Sequence, residues 1–405
     1  MRTVEEALSQ ILKAVKPGGS ERMPLLKSLG LVLAEEVVAD IPIPPFSNSA
    51  VDGYAVRAED TLAADRLHPV VLKEAGEIPA GQVSQEPVAR GTAVRIMTGA
   101  PIPPGADALV MIEDCVRLSD GRVEIHEAAE SGRHVRLQGE DIRKGEIVLS
   151  PGTLIRPAEI AMLATMGRSD VLTYRKPRVA VISTGDEVVE IETGVIPPPG
   201  KIRNSNQYAL AAMLIEAGGV VHSLTHIPDD LEKTIEALRM CAEADVIVTA
   251  GGVSVGDRDY VKPALEALGT LELWQVAMKP GKPLAFGRIG ETLFFGLPGN
   301  PVSAMVTFEL FVRPALWKMA GRAEKLLARM QVQAKLTHPI RHAPGRREYV
   351  RVSTFERDGE LFATPTGAQG SGILRSMTLS NSLLIIPAEY ENMEAGERAI
   401  VVLTG

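Results

Sequence analysis

From residue 177 the chain alternates short apolar runs with segments of helical periodicity, and few folds accept that pattern. KPRVAVIST, VVHSLTHI and ADVIVTA are rich in β-branched residues and read as strands buried on both faces. SNQYALAAMLIEAG, PDDLEKTIEALRMCAE and YVKPALEAL lie between and after them with helical spacing, the first capped by Ser205 or Asn206. Strands and helices alternating at this length predict a parallel α/β layer. Ligands of such layers collect beyond the carboxyl ends of the strands. Ser183–Glu187, Asp229 and the turn from Gly251 to Asp259 all fall there.

The stretch 245–303 concentrates the chemistry. Gly251, Gly252 and Gly256 let the backbone turn sharply and approach a ligand. Asp257 and Asp259 end that turn and suit a hard cation held by oxygen. Lys279 and Lys282 flank Pro280-Gly281 and add positive charge. Pro298-Gly299-Asn300-Pro301 opens a helix whose free N–H groups can hold an anion. Anion donors beside cation acceptors point to phosphate or oxyanion chemistry with a divalent metal.

The remaining chain frames that centre. A length of 405 residues predicts two to four domains. A net charge of -8 gives no basic field for nucleic acid, so an anionic partner needs a local pocket. Cys115 and Cys241 belong to no CxxC pair and read as packing residues in a reducing compartment. MRTVEEALSQILKAV is amphipathic rather than signal-like, and no apolar run approaches the ~20 residues of a membrane span. A cytoplasmic protein is therefore expected. Thr3 and Glu6 form a capping-box pattern, and a second helix is expected over Pro24–Val38. Pro42, Pro44 and Pro45 mark a boundary, after which 53–150 reads as short strands and turns. Residues 151–170 look helical, and 327–405 reads as a final β region.

Each signal has a plainer reading. GGVSVG is no Walker A loop, because Asp257 and Arg258 stand where Lys and Ser/Thr belong. Gly252, Ser254 and Gly256 match the nucleophile-elbow pattern, but only His338 and His342 follow, both in a predicted β region. Asp229-Asp230 can cap a helix or serve a ligand. His222 and His226 share a strand face without a third metal ligand. Lys279, Lys282 and the pair Arg346-Arg347 are either solvated charges or an anion clamp.

Seven blocks, PPFSNSAVDGYAVR, RIMTGAPIPPGAD, GEDIRKG, STGDE, GGVSVGDRDY, KPGKPLAFG and GLPGNPVSA, together resemble the MoeA family, the molybdopterin molybdenumtransferases. The E domains of gephyrin are similar. The resemblance covers nearly the whole chain and implies a multi-domain α/β plus β fold. An elongated N-terminal domain would use 1–45 and 142–176, and an inserted β domain 46–141. A central adenylyltransferase-like α/β domain would use 177–326, and a C-terminal β barrel 327–405. It also implies Mg2+-dependent insertion of molybdate into adenylylated molybdopterin with release of AMP. Lys279, Lys282, Asn300, Ser303, Arg346 and Ser371 match molybdate or nucleotide positions, with Gly251, Gly252 and Ser254 at the turn. Glu187 and Asp259 resemble the Mg2+ carboxylates, and Asp229 a further acidic position. Asp52, Thr98, Arg136 and Asp141 match positions needed for activity, expected to complete the partner's cleft in a homodimer. The adenylyltransferase acting one step earlier is an expected partner. Two other readings of the same fold are a scaffold and an adenylyltransferase. The Pro-rich insertion 191–203 departs from the family pattern.

Overall fold

The computed structural model of the chain describes residues 1–252 and 260–404. The chain divides into two compact units. The first comprises Met1–Glu35, Pro151–Ile160 and Asp170–Gly405, and the second Glu36–Ser150 and Ala161–Ser169.

In the first unit the apolar runs form one six-stranded sheet. Its strands are β1 (Arg178–Thr184), β2 (Val220–Ile227), β3 (Val246–Ala250), β4 (Thr270–Gln275), β5 (Pro283–Ile289) and β6 (Thr292–Leu297). The order is β2-β1-β3-β6-β5-β4. The expected parallel pairing holds for β2, β1, β3 and β6, while β5 runs antiparallel to both neighbours. Only Gly290 and Glu291 separate β5 from β6, and so short a link joins only antiparallel strands.

The helices of this unit include α1 (Val4–Ala14), α2 (Ser205–Glu216), α3 (Leu231–Cys241), α4 (Val261–Leu268) and α5 (Pro301–Thr307). The Thr3–Glu6 capping box starts α1. On one face of the sheet Val179, Val181, Val248 and Phe295 pack with Ile11 of α1 and Leu210 and Leu214 of α2. On the other, Ala180, Ile182 and Ile247 pack with Leu238 of α3 and Leu265 of α4. Burial on both faces is why the interiors of β1 and β3 are runs of apolar residues.

After the sheet, β7 (Gln331–Leu336), β8 (Arg347–Arg357), β9 (Glu360–Pro365), β10 (Ser382–Ile386) and β11 (Arg398–Leu403) follow. Their pairings run β8-β9-β7-β11-β10 and return to β8, which closes a five-stranded barrel. A two-residue strand, Met278–Lys279, pairs parallel with the start of β8 and joins the barrel to the turn after β4.

The expected helix over Pro24–Val38 does not form. Only a single 3-10 turn, Leu25–Ser28, is present, and Val37–Val38 is strand. Gly30 sits at φ 78 and ends the turn. Leu31, Val32 and Leu33 are buried through bridges to Leu154 and Thr173, a tertiary environment that overrides their helical spacing.

The second unit holds a six-stranded sheet of Gly53–Val56, Val70–Ile78, Thr92–Ile96, Ala108–Met111, Cys115–Arg117 and Arg122–Ile125, as the turn-rich pattern predicts. Both cysteines are free thiols, and burial pushes Cys115 up to about 12. No helix among the described residues is long and apolar enough to cross a membrane.

Candidate active site

A cleft of about 480 Å³ opens beyond the carboxyl ends of β1, β2, β3 and β6, where the alternating pattern places it. Ser183, Thr184 and Glu187 line it from β1, and Asp229 from the end of β2. Gly251 and Gly252 follow β3, and Gly299 and Pro301 lead into α5. Gly251 and Gly252 adopt φ 94 and 72, which side chains on L-residues resist. A Cβ on Gly251 would meet Thr184 Oγ1, and Gly251 Cα lies 3.7 Å from the Cβ position of Gly299. Glycine at these turns therefore lets two strand tips close together around the cleft.

The acidic wall is built locally. Gly185 holds φ 124, and the Glu187 carboxylate folds back over it into the space a Cβ would fill. At that dipeptide Asp230 is the helix cap, and Asp229 faces the cleft. The Asp230 side chain accepts from Lys233 N at 2.9 Å and caps α3. The Asp229 N–H donates to Asp186 at 3.1 Å, and Asp229 lines the cleft. Thus Glu187 and Asp229 share one cavity, and no group of three metal-ligating side chains occurs among the described residues. Ser254, Asp257 and Asp259 lie outside the described residues.

The opposite wall contains residues that the motif reading missed. The cap of α2 is Asn204 rather than Ser205 or Asn206; its side chain accepts from Gln207 N. Its amide donates to Ser183 Oγ at 2.8 Å and Glu190 at 2.9 Å. Asn206 donates to Gly299 O at 2.7 Å, tying α2 to the turn before α5. The Pro-rich 191–203 insertion is pinned at its base, because Val188–Val189 pairs parallel with Ile202–Arg203, which line the cleft. Asparagine at a helix start after an insertion was the available signal.

Lys279, Lys282, Asn300, Ser303, Arg346 and Ser371 are not among the residues lining the cleft. Asn300, Ser303, Ser371 and the turn between the lysines adjoin α5, whereas Lys279 and Arg346 lie at the start of β8. A Cβ on Gly281, between the two lysines, would touch Thr307 Oγ1 and come within 3.6 Å of Ser303 O. Val302 N donates to Ser371 O at 3.1 Å, and Asn300 stands at the N-cap of α5. Ser303 is buried and Lys282 exposed. Lys279 Nζ lies 2.9 Å from Glu348 Oε1, and Arg346 precedes the residue paired with Met278. Buried Arg351 donates to Gly370 O at 3.3 Å and to Ser376 Oγ at 3.1 Å, so it holds the loop that carries Ser371.

In the second unit Thr98 N and Oγ1 donate to Asp52 Oδ1 at 2.6 and 2.8 Å. Those two bonds, backbone first, hold the Asp52 carboxyl below its usual range. Arg136 pairs with Asn48, and Ser49 bridges to Gly99, which brings Arg136, Asp52 and Thr98 onto neighbouring chains. Asp141 is exposed, and its N–H donates to Ile43 O at 3.1 Å.

The histidines are occupied elsewhere. His222 contacts Arg178 at 2.8 Å, His226 contacts Ser183 at 3.1 Å, and His338 contacts Thr337 at 2.8 Å. His342 is buried against Glu348 at 2.8 Å.

Three family profiles match the chain in series. They are the MoeA N-terminal region (domain I and II) over 2–167, the probable molybdopterin binding domain over 180–318, and the MoeA C-terminal region (domain IV) over 333–404. The molybdopterin molybdenumtransferase of Haemophilus influenzae is 36% identical over 99% of this chain and 98% of its own length. That of Bacillus subtilis is 37% identical, covering 99% and 93%. A crystal structure of a molybdopterin biosynthesis moeA protein from Pyrococcus horikoshii OT3 superposes with a TM-score of 0.86 at 33% identity, covering 100% of both chains. Strand tips bearing acids, a basic turn beside α5 and full-length similarity lead to one assignment: the chain belongs to the MoeA family, the molybdopterin molybdenumtransferases.

Proposed function

We propose that the protein inserts molybdate into adenylylated molybdopterin, with Mg2+, releasing AMP and yielding molybdenum cofactor. The observation that carries this reading is the meeting of Glu187 and Asp229 in one cleft whose far side opens onto the start of α5. Two carboxylates and no third protein ligand among the described residues fit Mg2+, which takes one or two carboxylates and completes its shell with water and phosphate oxygens. Glu187 and Asp229 would hold the ion, together with Asp259, the further Mg2+ position that the resemblance implies. When bound it supplies Lewis acidity at the phosphoanhydride.

The polypeptide does the rest. The α2 and α5 ends and the Gly251-Gly252 backbone seat the nucleotide phosphate. Lys279, Lys282 and Arg346 offer N–H donors to a tetrahedral dianion, which needs several charge-assisted bonds. Ser303 and Ser371, on α5 and the loop beside it, add short donors. The enzyme works as a homodimer in which the Asp52–Thr98–Arg136 cluster and Asp141 serve the cleft of the other copy. The adenylyltransferase that makes the substrate is its partner.

The test is a purified reaction with adenylylated molybdopterin, molybdate and Mg2+. AMP release that depends on molybdate is expected. Consumption of ATP with free molybdopterin instead would make the protein an adenylyltransferase and overturn the proposal.

A further inference from the structure

The basic turn is held from below by groups that no functional role has absorbed. Glu348, second residue of β8, is 3% exposed at its side chain. Its Oε1 lies 2.9 Å from Lys279 Nζ and its Oε2 lies 2.8 Å from His342 Nδ1. The His342 side chain is 1% exposed, and its Nε2 is buried with no hydrogen-bond partner. His342 N donates to Asn392 Oδ1 at 3.2 Å, which fixes the segment. The backbone enforces the same arrangement, because Lys279 and Glu348 are register partners between Met278–Lys279 and β8.

A carboxylate this buried is costly unless its oxygens are paired. Here one oxygen faces an imidazole and the other an ammonium, so neither is left over. Lys279 differs: its side chain stays 49% exposed, and an ammonium has three donors of which Glu348 takes one. Among the described residues no other acceptor takes the remaining donors, which can serve an anion. A flexible four-carbon stem is a poor locator of charge, and a buried acceptor at its base removes that freedom.

We propose that Glu348 is a positioning residue for Lys279 and that His342 orients Glu348 in turn, so that a buried imidazole–carboxylate–ammonium chain sets where the oxyanion binds. This rests on Lys279 acting as a molybdate donor. The rival view is that Glu348 merely neutralises Lys279. The two differ in sign: a neutralising acid, once removed, leaves a stronger anion site, whereas a lost locator weakens it.

The experiment measures the molybdate KM and kcat of the full-length enzyme, with AMP binding and Tm as controls. For Glu348→Gln the expected result is a molybdate KM raised about tenfold or more, on the scale seen when outer partners of ligating groups are lost, with AMP affinity unchanged. Lys279→Ala should raise KM as well. The double variant should match Lys279→Ala within about twofold, since Glu348 acts through that lysine. A tighter molybdate KM in Glu348→Gln, or losses that multiply in the double variant, would overturn the proposal while leaving Lys279 as a donor. An unchanged KM in Lys279→Ala would overturn the donor assignment and the proposal with it. If Glu348→Gln fails to fold, His342 carries the test. His342→Asn keeps an N–H donor toward Glu348 and should hold the wild-type KM, while His342→Leu should raise it. Equal KM values for those two variants would overturn the chain.

Discussion

Asp229 and Asp230 are adjacent in sequence, and their substitutions should separate fold from function. Asp230 caps α3 by accepting from Lys233 N at 2.9 Å. Asp230→Ala removes that acceptor and leaves the Lys233 N–H to water, a loss of about 1 kcal/mol. At that size the opening equilibrium of the first turn of α3 grows about fivefold. The second bond at this end survives, because Thr234 Oγ1 donates to the Asp230 carbonyl, which alanine keeps. Lys233 N–H should lose its protection, and exchange should quicken about fivefold at Thr234, whose N–H bonds the Asp230 carbonyl at 3.0 Å, while turnover is preserved. Asp229→Ala should do the reverse. Its backbone N–H still reaches Asp186, so α3 exchanges as in wild type. Molybdate-dependent AMP release should fall by a hundredfold or more, on the order of the effect of losing a group that holds charge at the reacting phosphate. Both measurements use the same preparations. Loss of α3 protection in Asp229→Ala with normal exchange in Asp230→Ala would refute the division of roles, as would equal effects of both on turnover.

Four other outcomes are expected. Gly185→Ala forces φ 124 on a side-chain-bearing residue and drives a methyl into the Glu187 carboxylate, so it should cost about 1–3 kcal/mol by thermal unfolding and raise the Mg2+ needed for half-maximal rate. Glu309→Ala removes the 2.7 Å partner of the Arg313 guanidinium, 2% exposed, and leaves it only Glu216 at 3.4 Å; about 3 kcal/mol should be lost in denaturant unfolding, and adding Arg313→Met should recover part of it. Arg156 grips Glu159 through both Nε and an outer nitrogen and holds its carboxyl down to about 2 from 4.5. A depressed carboxyl stabilises the fold above the unfolded value, so the advantage of wild type over Glu159→Gln in urea should be full above pH 4.5 and shrink as pH falls toward 2. Thr98→Val removes one of two bonds to Asp52 and should raise that carboxyl in a side-chain NMR titration without restoring its ordinary value, because the larger backbone contribution from Thr98 remains.

How much could be read beforehand follows the range of the forces involved. The sheet and its cleft were legible because β1, β3 and β6 carry central runs of apolar residues, a pattern that burial on both faces requires. Strand tips then place Glu187, Asp229 and Gly251 together without further information. The Pro24–Val38 stretch was misread because helical spacing in Leu31–Leu33 is also satisfied by bridges to Leu154 and Thr173, more than a hundred residues away. Asn204 was passed over for its neighbours because boundaries are set by local geometry that a one-residue shift barely alters. Nothing near Lys279 announces Glu348. The pair exists only once a barrel strand docks beside a two-residue segment, and composition carries no trace of that register.

The short strand Met278–Lys279 has one more implication, for engineering. Because residue 348 rides on the barrel and residue 279 on the sheet domain, a chimaera that exchanged the barrel at its linker would import a foreign neighbour for the native lysine. Swaps between relatives should be cut so that 278–279 and 342–348 travel as a single cassette.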